Sequence, residues 1–185
     1  MELPNIDDKC GLHFSYRDFI ECSDTWKKTR IRNVPQQIDT YRAIERITQE
    51  ILDPVQEYFG KVNLTYGFSS PTLVKEIKKN HYPNITPSGD QHSGSELNKN
   101  NKLICDRRGI AVDFYVGGVS SLVVACWVAE NTNYDRLYFY SPHSPFHVSV
   151  GPENNKAIVY MKGFLGGRHQ PYIYSLEKLK VHNEC

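Results

Sequence analysis

Residues 109–116 read Gly-Ile-Ala-Val-Asp-Phe-Tyr-Val, an apolar run that contains a single carboxylate, Asp113. A short run of β-branched and aromatic residues that starts after a glycine is typical of a buried strand. A carboxylate in such a strand is unfavourable by several kcal/mol unless it is paired, hydrogen-bonded or bound to a cation. The run therefore predicts a buried strand and a partner for Asp113 within the fold.

The upstream segment, residues 33–60, predicts a long helix. Asn33 is a candidate N-cap, Pro35 suits the first turn, and Gly60 follows the last periodic residue. Pro54 cannot donate to the carbonyl four residues earlier, which predicts a kink or a short break just before it. The apolar residues recur at helical spacing: Ile38, Tyr41, Ile44, Ile47, Ile51, Leu52, Val55 and Phe59.

The remaining periodic segments predict an α+β fold. Residues 120–130 indicate a helix, and Ser70-Pro71 opens a shorter one. Residues 81–106 are mostly polar and rich in turn-forming residues, which indicates a long loop. We expect a small antiparallel sheet with helices packed on one side. Its further strands are expected at residues 61–66, 136–140, 146–150 and 157–161.

Length and charge restrict the class of protein. The 185 residues fit one domain, residues 1–185. The 22 Lys and Arg residues and 21 Asp and Glu residues give a net charge of +1, which argues against a strongly cationic nucleic-acid-binding protein. Nucleic acid is therefore not the expected partner, although a local site could still bind an anion.

The cysteines and the N-terminal residues bear on the cellular compartment. Five cysteines, with no Cys-x-x-Cys pair, argue against a disulfide framework and against a cysteine-based zinc site. Free thiols indicate a reducing compartment. The first residues lack a basic segment followed by an apolar run, and no stretch approaches the roughly 18 apolar residues of a membrane span. We expect a cytoplasmic protein without membrane contact.

Two histidines are candidate partners for Asp113. His92 lies in the polar segment before the central strand, and His147 lies in a later strand, between Phe146 and Val148. Two imidazoles and one carboxylate would leave a tetrahedral zinc ion with one open position, as a hydrolytic site requires. The alternative is an Asp113 that pairs with an arginine and histidines that are ordinary core residues; the candidate arginines are Arg107 and Arg108. Spacing alone leaves both open.

Six segments occur in a characteristic order over residues 12–150. They are Leu-His-Phe-Ser-Tyr-Arg-Asp-Phe at 12–19, Leu-Asp-Pro-Val-Gln-Glu-Tyr-Phe-Gly at 52–60, Thr-Tyr-Gly-Phe-Ser-Ser-Pro at 65–71, Gln-His at 91–92, Gly-Ile-Ala-Val-Asp-Phe at 109–114, and His147. This order resembles the peptidase M15 group of zinc peptidases, which includes D-alanyl-D-alanine carboxypeptidases, VanY-type enzymes and some phage endolysins. The chain would be a divergent member.

The resemblance implies a Hedgehog/DD-peptidase-like fold with one Zn²⁺ bound by His92, Asp113 and His147. Its metal-site core would span about residues 12–162, with residues 163–185 as a C-terminal extension. The implied reaction is hydrolysis of an amide bond in a peptide or peptidoglycan fragment. By position in the motifs, the candidate substrate-binding residues are Ser69, Gln91 and Ser144.

The chain departs from the family pattern at three places. Twenty residues separate His92 from Asp113, where the family has six, so residues 93–108 would form an inserted loop. Ser69 stands where the family has an arginine that grips a substrate carboxylate, and a hydroxyl cannot replace a bidentate guanidinium. Ser144 and Pro145 stand where the family has its catalytic Glu or His. Both carboxylate recognition and proton transfer are therefore in question.

Two residues could substitute as the general base. His143 lies four residues before His147 in a turn with two prolines, and Glu96 lies in the inserted loop. Ordinary roles, a solvent-facing His143 and a loop Glu96, remain open. So do two other functions: a metal-binding module that has lost hydrolysis, and a metal site redirected to a nucleotide or nucleic acid through the basic inserted loop.

Overall fold

The computed structural model describes residues 2–79, 89–163 and 169–182. The strands are β1 Val62–Tyr66, β2 Ile110–Val116, β3 Arg136–Phe139, β4 Phe146–Val150, β5 Ala157–Gly163 and β6 His169–Tyr174. The helices are α1 Tyr16–Glu21, α2 Asp24–Thr29, α3 Ile38–Ile47, α4 Asp53–Phe59, α5 Pro71–Ile77, α6 Ser121–Asn131 and α7 Leu176–Lys180. None of the helices that the structure describes has the length and hydrophobicity that a membrane-spanning segment requires.

The six strands form one open sheet in the order β1-β2-β4-β3-β5-β6. Every neighbouring pair is antiparallel except β3 and β5, which run parallel. The predicted α+β class is confirmed, and the predicted antiparallel sheet is antiparallel at every neighbouring pair except β3–β5. The reason is that β4 lies between β2 and β3, so the chain crosses the start of β3 and adds β5 at its other edge.

Asp135 stabilises this crossing. Its carboxylate accepts hydrogen bonds from the backbone N–H and side-chain amide of Asn155, at 3.0 and 2.8 Å. Its carbonyl accepts from the N–H of Ala157, the first residue of β5. Contacts of a loop residue therefore hold the start of the parallel pair, and strand periodicity does not encode such contacts.

The two faces of the sheet carry different residues, as the two-residue period of a strand requires. One face packs against α3 and α6 and forms the main hydrophobic core. From the central strands it contributes Ile110, Val112, Phe114, Leu137, Phe139, Phe146, Val148 and Val150. The alternate residues, Asp113, Tyr138 and His147 among them, face the other side. The predicted packing of helices on one side therefore leaves the polar residues of β2 and β4 on the opposite face.

The long helical segment begins later than the sequence predicts. Asn33 does not cap it: its buried side-chain amide donates to the carbonyls of Ile20 and Phe68, and its Oδ1 accepts from the N–H of Ser70. An Asn side chain both donates and accepts hydrogen bonds, so Asn33 can pair with three distant backbone groups instead of capping the local helix. The helix starts at α3 instead.

The predicted break before Pro54 is confirmed. Residues Thr48–Leu52 form a π-helical turn between α3 and α4, which widens the helix where the proline lacks an N–H. The segment ends at Gly60, as expected, with φ of 96°. Helices α5 and α6 also lie where the sequence predicts them, each with a serine N-cap, Ser70 and Ser120.

The sequence did not predict the elements at the two ends of the chain. Strand β6 pairs with β5, and α7 packs on α6 with Leu179 fully buried in the main core. Helices α1 and α2 precede the long helix. They are only six residues long, and such short elements carry little periodicity.

Candidate metal centre

Three side chains from distant parts of the chain meet on the polar face of the sheet. Asp113 lies in the middle of β2, and His147 is directly opposite it in β4. His92 lies in a 3-10 turn, Gln91–Ser93, that packs against β2. The residues that the sequence singled out as metal ligands therefore converge.

The three ligand atoms form a compact triangle. Nδ1 of His147 lies 2.9 Å from Oδ1 of Asp113, Nε2 of His92 lies 3.3 Å from the same oxygen, and the two nitrogens are 3.2 Å apart. Metal–ligand distances of about 2.0–2.1 Å at tetrahedral angles place neighbouring ligand atoms about 3.3 Å apart. The triangle therefore has the dimensions of one face of a tetrahedral zinc site.

Contacts behind His92 fix the orientation of its ring. Nδ1 lies 2.9 Å from the carbonyl oxygen of Gly67, and since a carbonyl only accepts, Nδ1 carries the proton. When His92 is neutral, the lone pair of Nε2 therefore faces the other two ligand atoms, where a metal ion would bind it. An outer hydrogen bond of this kind commonly orients a metal-binding histidine. The ring of Tyr66 packs on the imidazole with centroids 4.3 Å apart.

Local structure also fixes the backbone of His92. Asp90 caps the 3-10 turn by accepting from the N–H of His92, and the carbonyl of His92 accepts from the N–H of Ser69. Gly67 is closely packed, because a Cβ there would lie 2.5 Å from the carbonyl oxygen of Phe19. Residues 66–69 therefore form the support of this ligand.

A row of side chains crosses the sheet at the site. Tyr66 of β1 is opposite Asp113, which is opposite His147, which is opposite Tyr138 of β3. The Tyr138 ring meets the His147 ring edge to face, with centroids 4.9 Å apart. Tyrosines therefore flank the ligands on both sides.

Burial and charge determine the ionisation of the cluster. The His92 side chain is 3% exposed and that of Asp113 is 20% exposed. Burial alone would raise the pKa of Asp113, but the two imidazoles more than offset it and hold the pKa well below its usual range. Burial alone would lower the pKa of His92, whereas the nearby carboxylate raises it. Without a metal, the cluster thus favours an ionised Asp113 beside a His92 that carries a second proton, on Nε2.

The alternative partners of Asp113 are not the ones observed. Arg107 and Arg108 are exposed. In the described ranges, the ion pairs of Asp113 are those with His92 and His147. The carboxylate in the strand is therefore balanced by imidazoles rather than by a guanidinium.

The candidate substrate-binding residues lie in the frame of the site. Gln91 is 1% exposed; its amide donates to the carbonyl of Arg108 and to Asp135, and its Oε1 accepts from Ser149. Ser69 is equally buried, and its Oγ accepts from the hydroxyl of Tyr66 at 2.8 Å. In this structure both side chains bind protein groups.

The structure does not bring the two candidate bases to the triangle. His143 is exposed in the β3–β4 turn, and its N–H donates to Ser141 Oγ; the third candidate substrate-binding residue, Ser144, bonds the same hydroxyl. Glu96 is buried at the start of α3, where it accepts from the N–H groups of Gln36 and Gln37. It also accepts from Thr40 Oγ1 at 2.9 Å, so this carboxylate caps α3.

The inserted loop is compact rather than open. Leu97 and Leu103 form an isolated antiparallel bridge, and the N–H of Ile104 donates to the carbonyl of Glu96. Residues 93–108 thus fold back on themselves, which lets His92 and Asp113 meet although they are far apart in sequence.

Comparison with known proteins gave no relative. No family model, no curated protein and no solved structure matches the chain. The site is therefore interpreted from its own geometry.

Sequence reasoning missed the residues that orient the ligands. Tyr66, Gly67 and Tyr138 contact or support the histidines, and Asp90 caps the turn that carries His92. Two signals were available: Asp90 is two residues before His92, and Tyr66 and Gly67 lie in one of the quoted motifs.

Proposed function

We propose that His92, Asp113 and His147 bind a divalent metal ion, Zn²⁺, and that the protein is a peptidase-like hydrolase related to the peptidase M15 group. The observation that carries this proposal is the triangle of ligand atoms with 2.9–3.3 Å edges. Three acceptor atoms at this separation are mutually repulsive unless a cation, a proton or a metal, lies among them. The spacing of the three ligand atoms is thus the first support for a metal site.

The donor set fits zinc. Two imidazole nitrogens and one carboxylate oxygen are common zinc ligands, and three protein ligands leave a position open for chemistry. A zinc ion bound there would supply Lewis-acid activation of water and of a scissile carbonyl. The protein's own residues contribute orientation: Gly67 holds His92, and strand pairing holds His147 against Asp113.

The proposed substrate is a peptide or a peptidoglycan fragment cleaved at an amide bond. Its support is the order of motifs over residues 12–150 and their arrangement around the site, since residues 66–69 lie behind His92. Buried Ser69 offers no guanidinium for a terminal carboxylate. We therefore propose a cleavage reaction in which residue 69 does not bind a terminal carboxylate of the substrate.

His143 is our proposed proton-transfer residue, because it is exposed in the turn that leads into the strand of His147. Glu96 is the weaker candidate, since its carboxylate already accepts hydrogen bonds from α3. If His143 acts, it must turn toward the triangle when substrate binds.

A second function, a metal-binding module that does not hydrolyse its ligand, is supported by one specific observation. Within the described part of the chain, no hydrogen bond or ion pair joins either candidate base to any of the three ligands. In a third candidate function, the metal site and the basic inserted loop together bind an anionic ligand. Its only support is the exposure of the basic residues of that loop, Lys99, Lys102, Arg107 and Arg108.

The compartment is part of this proposal. We propose a cytoplasmic location, supported by the thiols of Cys10, Cys22, Cys105 and Cys126, which are not in disulfides.

One experiment separates the first two functions. The protein is loaded with Zn²⁺, its metal content is measured by elemental analysis, and it is incubated with a set of muropeptides analysed by mass spectrometry. One bound zinc with cleavage that is lost in His143→Ala supports the hydrolase. One bound zinc without cleavage supports the module, and no bound zinc overturns both.

A further inference from the structure

The near-zero net charge of the chain conceals a local separation of charge. Residues 24–32 and 75–79 hold seven of the 22 Lys and Arg residues but only two of the 21 Asp and Glu residues. The rest of the chain is therefore net acidic. All seven basic side chains are exposed: Lys27, Lys28, Arg30, Arg32, Lys75, Lys78 and Lys79.

Tertiary packing joins these residues into one surface, which we call the basic surface. Helices α2 and α5 contact each other. Between them, Trp26 and Ile31 pack against a small cluster of Tyr66, Leu73 and Ile77. The apolar residues of both segments thus point inward, which leaves the basic side chains at the exterior.

Most of this charge is not neutralised by neighbouring carboxylates. Lys27 lies 4.0 Å from Asp24, and Lys79 pairs with Glu76. Among the described residues, the other five basic side chains lie within 4.0 Å of no carboxylate. Unpaired like charges repel one another, and a bound polyanion neutralises them while its own counterions are released, which favours binding.

We infer that the basic surface binds duplex nucleic acid, double-stranded DNA in the first instance, through its phosphates. Exposed, separated point charges suit a ligand with repeated charges rather than one small anion. No large apolar side chain of α2, α5 or residues 30–32 is exposed, which disfavours insertion into a lipid surface.

The aromatic residue of the surface disfavours a single strand. Single-stranded nucleic acid is held largely by stacking of bases on exposed aromatic rings. Here the guanidinium of Arg30 lies 4.4 Å from the centre of the Trp26 ring, and the same ring packs on the inner cluster. Arg30 and the inner cluster therefore both cover parts of Trp26, and backbone contact to a duplex is the interaction that remains.

The test compares two variants with the same change in net charge. The first replaces Lys28, Arg32, Lys75 and Lys78 with Gln; Arg30 is left in place because its guanidinium covers the Trp26 ring. The control replaces the exposed residues Lys99, Lys102, Arg107 and Arg108 of the inserted loop with Gln. Circular dichroism and thermal unfolding check that both variants fold.

Binding is measured by fluorescence anisotropy with a labelled 20-base-pair DNA duplex between 50 and 200 mM salt. The wild-type protein is expected to bind, with affinity falling as salt rises. The first variant is expected to bind at least about tenfold more weakly at the lowest salt, with a log–log salt slope smaller by about 3 to 4. The control is expected to change affinity less than about threefold.

Several results would overturn the inference. They are no binding by the wild-type protein, equal losses in both variants, tighter binding to a single strand of the same sequence, or binding to phosphatidylserine-containing vesicles without binding to DNA. The Asp113→Ala variant should bind DNA as the wild-type protein does, because no basic residue of the surface is a proposed metal ligand. Loss of DNA binding in that variant, if it folds, would also contradict the inference.

Discussion

Asp113 and His147 face each other across the β2–β4 pair, and Oδ1 of Asp113 lies 2.9 Å from Nδ1 of His147. Directly opposed residues of antiparallel strands have their Cβ atoms about 4.5–5.5 Å apart, so backbone pairing alone brings these two side chains together. His92 is the ligand whose position depends on loop structure. The strands therefore supply a rigid half of the site, and the 3-10 turn completes it.

Replacing Asp113 should strongly weaken metal binding. Asp113→Ala removes the one anionic ligand and leaves two imidazoles, so we expect zinc affinity to fall at least about 100-fold. Isothermal titration with Zn²⁺ and elemental analysis after dialysis measure the effect. Asp106→Ala, an exposed carboxylate of the inserted loop, is the matched control and should bind zinc normally. Equal zinc content in both variants would contradict the proposed site.

The stability of the metal-free protein should depend on pH through the same cluster. The pKa of His92 is raised above its ordinary value of 6.5, so its contribution to the free energy of unfolding is present below pH 6.5 and is lost as pH rises through the folded-state pKa. The pKa of Asp113 is lowered below 3.8, so its contribution to the free energy of unfolding is present above pH 3.8 and is lost as pH falls through the folded-state pKa. The cluster should thus stabilise the metal-free protein most between these values.

Urea unfolding in the presence of a chelator, from pH 3 to pH 8.5, measures this dependence. Asp113→Asn should reduce the stability difference between pH 6 and pH 8.5. Added Zn²⁺ should reverse the trend above pH 6.5, because the ion binds deprotonated imidazoles. A wild-type profile that matches that of Asp113→Asn at every pH would show that the cluster does not titrate as described.

Gly67 should tolerate no side chain. In Gly67→Ala, the new Cβ would lie 2.5 Å from the Phe19 carbonyl oxygen, so the backbone must move. We expect a loss of about 1–3 kcal/mol in the free energy of unfolding, together with weaker zinc binding because the Gly67 carbonyl orients His92.

Gly117→Ala is the matched control, since a Cβ there meets no atom within 4 Å. Its stability should change by less than about 0.5 kcal/mol. Both variants are compared by denaturant unfolding and by zinc titration. If Gly67→Ala binds zinc with wild-type affinity, the hydrogen bond between His92 and the Gly67 carbonyl does not contribute to zinc affinity.

Glu96 should matter to stability rather than to proton transfer. In Glu96→Gln, one acceptor oxygen at the start of α3 is replaced by a donor, which should cost about 1–2 kcal/mol of unfolding free energy. Asp39→Asn, which removes an exposed carboxylate in the first turn of the same helix, should cost less than about 0.5 kcal/mol. Unfolding in urea measures both.

The same pair of variants distinguishes the two roles of Glu96. If a hydrolytic activity is found, Glu96→Gln should retain it per folded molecule, with an unchanged dependence on pH. Loss of activity without loss of stability would instead assign Glu96 to the reaction.

Local patterns predicted much of the fold because they depend on neighbours in sequence. The periodicity of residues 38–59, the proline break before Pro54 and the serine caps of α5 and α6 all appear where expected. The role of Asn33 was not predictable in this way, because its partners are 13, 35 and 37 residues distant. The same holds for Glu96, which caps a helix almost 60 residues earlier in the chain.

By itself, the sequence determined the chemistry of this protein's candidate site. It places one carboxylate, Asp113, inside an otherwise apolar strand, and it supplies histidines that could bind beside it. The two-residue period then assigned Asp113 to the face away from the helices. Only the tertiary structure decided that His92 and His147 reach the same oxygen and that Glu96 does not. Strand periodicity specifies which side of a sheet a residue occupies, whereas the meeting of segments far apart in sequence depends on the register of pairing and on how the loop between them packs.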